Sequence, residues 1–427
     1  MLDRSHHVVP QSYLTADIPG VGGVIKQRPE DFLVDEQPQY QPSGEGEHVY
    51  LLVQKRGMST LDMTRVIARH FGVRPGAVGF AGLKDKHAVT RQIISVHTPG
   101  KKHTDFPMLQ HEQVAILWAD QHNNKLRPGH LAGNRFSIRI RNVEPTRVRD
   151  AHRVLQRLAA TGVPNRFGEQ RFGMLANNHL IGRALVLGDF DEAVRELLGP
   201  SAARPDFNKE ARELFVQKKY REAIHAYPMQ AHIETRVLNQ LDHGRDARAA
   251  LLCLDETTIR FYLSAFQSAV FNSLLDERLA DNTLGSLHEG DVAIKHANLA
   301  CFQVDAPTAT DPATTARLAS FEISPSGPMW AAGMMRASGD TDAREVAALA
   351  RLGLTPEQLE VFTRASRFDL EGKRRPFRVP LLAPEVEGGV DEHGPYIRCA
   401  FELPRGAFAT VALREVMKPA EGLGDED

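Results

Sequence analysis

The chain has 427 residues, of which 42% are hydrophobic and 25% charged, an ordinary globular composition long enough for two or three domains. Its 52 Lys plus Arg against 54 Asp plus Glu leave a net charge of −2, without the bulk basic character that advertises nucleic-acid binding. No run approaches the roughly 18 apolar residues of a bilayer span, and the opening MLDRSHHVVPQSYL has no apolar signal core, so the expectation is a cytoplasmic protein without a membrane partner.

Strand-like alternation dominates the first third, at Phe32–Glu36, His48–Val53, Gln92–Val96, Val114–Trp118 and Arg135–Ile140. One helix interrupts it: Ser59 and Thr60 offer N-caps, Leu61, Thr64, Val66, Ile67 and Ala68 supply an inward face, and Gly72 stops the run. Clustered strands predict an α+β domain on a mostly antiparallel sheet. Helical spacing takes over from Thr146 to Thr161, then at 176–187, at 190–198 behind an Asp189/Glu192 capping pair, and at 256–280. The stretch Asp305–Thr315 has no periodicity and reads as an exposed loop. Strand character returns at Pro395–Leu403, followed by a helix at Ala409–Met417 and a polar tail, Gly422–Asp427, expected to be disordered. The outline is a sheet domain made from both chain ends, holding a helical insertion.

There is no repeat, no G-x-x-x-x-G-K-[ST] and no strand-borne G-x-G-x-x-G, so no nucleotide cofactor is expected. The 18 histidines show no ligand spacing, and no metal is expected. Cys253, Cys301 and Cys399 are odd in number and unpaired in sequence, and read as buried thiols.

Three segments could carry chemistry. In Phe80–Gln92, Lys84 and Lys86 flank Asp85, and flanking cations favour a carboxylate over a general acid. Spacing alone favours a Gly-initiated turn with solvated charges. In Gly133-Asn134-Arg135-Phe136, an amide beside an aromatic ring could hold a base edge and face, although a Phe at a strand start also serves a core. In Val163–Gly173, Gly, Arg and Phe interleave, as they would in an RNA-contacting loop or a rigid domain hinge. Residues 121–175 hold eleven cations, Lys125, Arg127, Arg135, Arg139, Arg141, Arg147, Arg149, Arg153, Arg157, Arg166 and Arg171, against Glu144, Asp150 and Glu169, a local charge of +8. A second basic run spans Arg364, Arg367, Lys373, Arg374, Arg375 and Arg378, and the two runs together would make a track for a polyanion.

In order and spacing these segments resemble the TruD family of tRNA pseudouridine synthases. The resemblance covers Ile25–Glu36, Gly44–His48, Gly82–Gln92, Gly133–Phe136, the Gly-aromatic hinge, Ala265–Ser268 with Phe271-Asn272, and Leu403–Thr410. It implies a pseudouridine-synthase fold, α+β with a mostly antiparallel sheet flanked by helices, over 1–162 and 371–427, interrupted by an α-rich insertion domain over 163–370. It implies Asp85 as nucleophile, with Phe32, Asn134 and Phe408 on the flipped uridine and Lys26 and Phe136 in or near the pocket. Lys84 or another nearby cation is expected to support the charge of Asp85, and Arg139, Arg141, Arg147, Arg149 and Arg171 to contact RNA. The implied partner is tRNA, chiefly a glutamate tRNA modified at position 13, the implied state a monomer, and no cofactor is needed. Two features depart from the family pattern, Arg166 in the hinge where a tyrosine is usual, and a longer insertion with the Asp305 loop. The rivals are a tRNA-binding or chaperone protein that kept the fold without the chemistry, and an unrelated carboxylate-dependent hydrolase.

Overall fold

The computed structural model describes residues 12–368 and 370–419, so the tail at Gly422–Asp427 lies outside the described residues. Among the described residues the chain forms two compact units, one of Thr15–Val163 with 379–419, the other of Pro164–Arg378 with 12–14.

The first unit is built on an eight-stranded sheet. Its strands are β1 (Phe32–Pro38), β2 (His48–Arg56), β3 (Val78–Phe80), β4 (Val89–His97), β5 (Val114–His122), β6 (Leu131–Arg141) and the hairpin of Leu382–Asp391 with Gly394–Pro404. From the hairpin edge the order is Leu382–Asp391, Gly394–Pro404, β6, β1, β4, β2, β5, with β3 also on β4. All pairings are antiparallel except β1 with β4. The strand at Leu382–Asp391 escaped the pattern reading because it is an edge strand, largely exposed, with Gly388 and Gly389 interrupting any alternation.

Helix α1 (Thr60–His70) starts where expected, with Ser59 accepting the Asp62 amide as its cap. Its buried Met63, Ile67 and Ala68 cover Val49, Leu51 and Val53 of β2 and Ile94 and Val96 of β4. Helix α2 (Val148–Thr161) buries Ala151, Val154, Leu155 and Leu158.

The second unit is a helical assembly around the almost fully buried helix Glu256–Ala280. Gly182 lets the helix Asn178–Leu187 approach it: a Cβ there would lie 2.1 Å from the Tyr262 carbonyl oxygen. The unit also holds a four-stranded sheet, in the order Lys373–Pro376, Ile323–Met329, Val292–Lys295, Cys301–Gln303, that the periodicity did not reveal. The expected loop at Asp305–Thr315 instead forms helices Ala306–Thr310 and Pro312–Ala319, because Asp305 and Asp311 cap the Thr308 and Thr314 amides and a proline sits in each first turn. Of the three thiols, Cys399 is buried and Cys253 and Cys301 are only half-buried.

Candidate active site

Asp85 lies in the loop between β3 and β4, whose backbone is held at four points from Ala81 to Asp85. The Thr60 hydroxyl, at the start of α1, accepts the Lys84 amide at 2.8 Å. The Gln92 side chain donates to the Gly82 carbonyl at 3.2 Å, and the Gly129 amide donates to the Ala81 carbonyl at 2.7 Å. The Lys55 ammonium donates to the carbonyl of Asp85 itself at 2.6 Å. The carboxylate is thereby presented at the surface with its side chain 35% exposed, and the Lys26 ammonium meets it at 2.8 Å. Lys26 sits in the left-handed region, φ 61°, and its ammonium lies 5.3 Å from the centre of the Phe32 ring.

Ladder register explains the grouping. Side chains directly opposite in a sheet share a face, and alternate residues of one strand do so too. Phe32, Val34 and Glu36 of β1 stand opposite Ile138, Phe136 and Asn134 of β6, and Val34 pairs with Thr90 of β4. Lys55 of β2 in turn pairs with Thr90. One face thus carries Phe32, Glu36, Asn134, Phe136 and Lys55, continuous with the apolar patch under α1. Phe32 and Phe136 meet edge to face with ring centres 6.5 Å apart. The Asn134 Oδ1 is buried without a hydrogen-bond partner among the described residues. Gly133 beside it is sterically required, since a Cβ would fall 2.3 Å from the Leu403 carbonyl oxygen. Phe408 caps the helix Ala409–Met417 and is 49% exposed, and the turn before it is tied to β6 by the Arg405 amide donating to the Ala132 carbonyl at 3.2 Å.

Several expected roles are corrected. Lys84 does not support Asp85: it points inward and pairs with Glu36 at 2.5 Å, both side chains buried, and Glu36 also accepts the Ile93 amide at 3.1 Å. Burial pushes the Glu36 carboxyl up while Lys84 pulls it back. Arg141 is no RNA contact, being buried between Asp31 (2.6 Å) and Asp391 (2.6 Å), which hold its guanidinium charged. Arg171 lies in the second unit, over the Phe167 and Phe261 rings and bonded to Ser264 at 3.2 Å, and burial lowers its basicity. The second basic run is only partly at the surface: Arg374 pairs with Glu345 at 2.7 Å and Arg378 reaches the Leu318 carbonyl at 2.7 Å, both buried, whereas Arg364, Arg367 and Lys373 are exposed.

The +8 window also shrinks. Arg135 pairs with Glu385 and Glu402, Arg157 with Asp17 and Arg166 with Asp276. Arg149 is exposed, whereas Arg139 and Arg147 keep pairs at 3.8 and 3.3 Å that water can compete for. No three His, Cys, Asp or Glu among the described residues could share a metal ion, and no helix among them is long and apolar enough to cross a membrane.

The sequence profile of the family described as tRNA pseudouridine synthase D (TruD) matches residues 9–416. The chain belongs to the TruD family. It is 42% identical over 408 residues to tRNA pseudouridine synthase D of Geobacter metallireducens, covering 95% of this chain and 97% of that one. The corresponding protein of Syntrophotalea carbinolica is 41% identical, covering 95% and 99%. The crystal structure of the putative tRNA pseudouridine synthase D from Methanosarcina mazei superposes with a TM-score of 0.82 at 28% identity over 96% of each chain. The chain is therefore an enzyme of the isomerase class with the TruD fold.

Within that fold, the hinge and the Ala265–Asn272 segment are structural. Asn272 accepts the Phe167 amide and donates to its carbonyl, each at 3.0 Å, while Gln267 donates to the carbonyls of Trp330 and Glu371 at 2.9 and 3.1 Å. Arg166, the departure from the TruD hinge, is buried and ion-paired with Asp276. The TruD motifs did not single out Lys55. The signal for it was the inward parity of Val49, Leu51 and Val53, which places the next alternate residue, a lysine, on the buried face.

Proposed function

We propose that this enzyme isomerises uridine to pseudouridine in tRNA, at position 13 and chiefly in a glutamate tRNA, acting as a monomer with Asp85 as the nucleophile. The observation that carries the reading is the Asp85 carboxylate held by Lys26 at 2.8 Å, on a loop fixed by Thr60, Gln92 and Lys55. A carboxylate oriented by a cation but left open to solvent on one side is suited to attack or to assist departure at C1′ of a nucleoside.

The bond from uracil N1 to C1′ breaks, the base turns while bound, and C5 bonds to C1′. C5 loses its proton and N1 gains one, so no redox partner is required. Phe32 and Phe136 offer an apolar wall, and the unsatisfied Asn134 Oδ1 is an acceptor for a base N–H. Phe408, exposed at its helix start, can pack on an extruded base. Arg149, with Arg139 and Arg147 beside it in sequence, supplies phosphate contacts.

Tritium release from C5-labelled uridine in tRNA tests the reading. Asp85→Asn is expected to abolish release while tRNA affinity stays near wild type. Release at the wild-type rate would remove Asp85 from the chemistry, and no release by the wild-type protein would favour a tRNA-binding role alone.

A further inference from the structure

Beside the Asp85 loop the sheet unit opens a cleft of about 610 Å³, walled by Leu61, Thr64 and Arg65 of α1, by residues from Pro75 to Phe80, and by Lys125 to Pro128. Its floor is apolar, with Val78 and Leu126 buried and Phe80 half-buried, while Leu61 on the wall is exposed. Its charged lining residues are all cations, Arg65, Lys125 and Arg127. Lys125 donates to the Gly76 carbonyl at 2.5 Å, and Arg65 holds only an exposed pair with Asp62 at 2.6 Å. Arg127 is exposed.

The cleft shares its walls with the catalytic loop. Phe80 runs directly into Ala81, whose carbonyl accepts the Gly129 amide at 2.7 Å, and α1 begins at Thr60, which holds Lys84. No residue expected to touch the target uridine lines it. An apolar floor with a cationic rim and no carboxylate in the lining is what an unstacked nucleotide of a single strand requires, a surface for the base and charge for its phosphate. The volume lies within the usual range for small-ligand sites, about 300–1,000 Å³.

We propose that this cleft is a second nucleotide subsite, taking an unstacked base of the RNA strand that carries the target uridine, with the adjoining phosphate on Arg127 and Arg65. The assignment rests on the RNA reading above. Both test positions, Arg127 and Leu61, are exposed, so substitution spares the core.

Steady-state kinetics with tRNA at several salt concentrations separate the two contacts. Arg127→Glu is expected to raise KM about tenfold and to lower the slope of log affinity against log salt by about one. Leu61→Ser is expected to raise KM about fivefold by loss of base contact without changing that slope. Amide exchange at 61–65 and 76–80 is expected to slow when tRNA is added to the wild-type protein. Wild-type KM and salt slope in Arg127→Glu, with the wild-type enzyme active on tRNA, would overturn the subsite alone. A wild-type protein that neither binds nor modifies tRNA would overturn the functional reading and the subsite with it.

Discussion

Replacing Lys55 by Met separates what this residue does for stability from what it does for the site. Lys55 is fully buried, and burial pushes its ammonium down from 10.5 to about 8 against a weaker pull from Asp85. At about 1.4 kcal/mol per unit, keeping this lysine charged in the fold costs about 3 kcal/mol at neutral pH. Met fills a comparable volume without charge, but leaves the Asp85 carbonyl without its donor, a loss of about 1–3 kcal/mol. The two effects nearly cancel, so at pH 7 Lys55→Met should be within about 2 kcal/mol of wild type in urea unfolding. The sign of the pH dependence follows from linkage. Between pH 8 and 10.5 the unfolded chain binds the Lys55 proton more fully than the folded one, so wild-type stability from this group rises with pH and falls again as pH drops through 8. The variant lacks that increment, and wild type should gain on it by about 3 kcal/mol from pH 7 to above 10.5. Turnover should still fall, by about 10²-fold if loss of the 2.6 Å contact lets Asp85 move by about 1 Å, with KM for tRNA little changed. A stability difference that does not move with pH, or turnover equal to wild type, would refute the reasoning.

Two other expectations follow from the arginines. Arg141→Ala leaves Asp31 buried and unpaired and should cost about 3–5 kcal/mol, read as a fall in melting temperature. Arg141 also holds the Asp391 carboxyl well below the usual carboxylate range, so the stabilisation it provides is present above that range and lost on acidification, and the gap between wild type and variant should narrow as pH falls well below 4. By contrast, Arg149→Ala should leave the melting temperature unchanged and lower the salt slope of tRNA binding by about one.

What could be read in the sequence was whatever local periodicity determines. The alternation of β2 and β6 and the 3.6-residue spacing of α1, α2 and Glu256–Ala280 report faces that are buried along a whole element, so a window sees them. Leu382–Asp391 is an edge strand with little buried face, and the helices after Asp305 owe their existence to two aspartate caps and not to an apolar stripe, so neither left a periodic trace. Asp85, Lys26 and Phe32 were reachable through motif resemblance, but the identity of the cation on Asp85 was not. Lys84 is its chain neighbour, yet strand parity brings Glu36 to Lys84 and leaves Lys26, 59 positions away, on the carboxylate.

Charge was misread for the same reason. A window sum counts cations where they lie in the chain, whereas Arg135, Arg141 and Arg166 are paired with Glu385, Asp391 and Asp276, all outside the window. The net charge of −2, like the +8 of the window, is a sum over sequence that does not describe a surface. Ion pairing within each unit takes several of the window's arginines away from a polyanion, while Arg127 and Arg149 remain exposed. Affinity for RNA should then depend on particular residues such as Arg127 and Arg149, and a substitution at either should change binding more than the equivalent charge change at an arginine already paired.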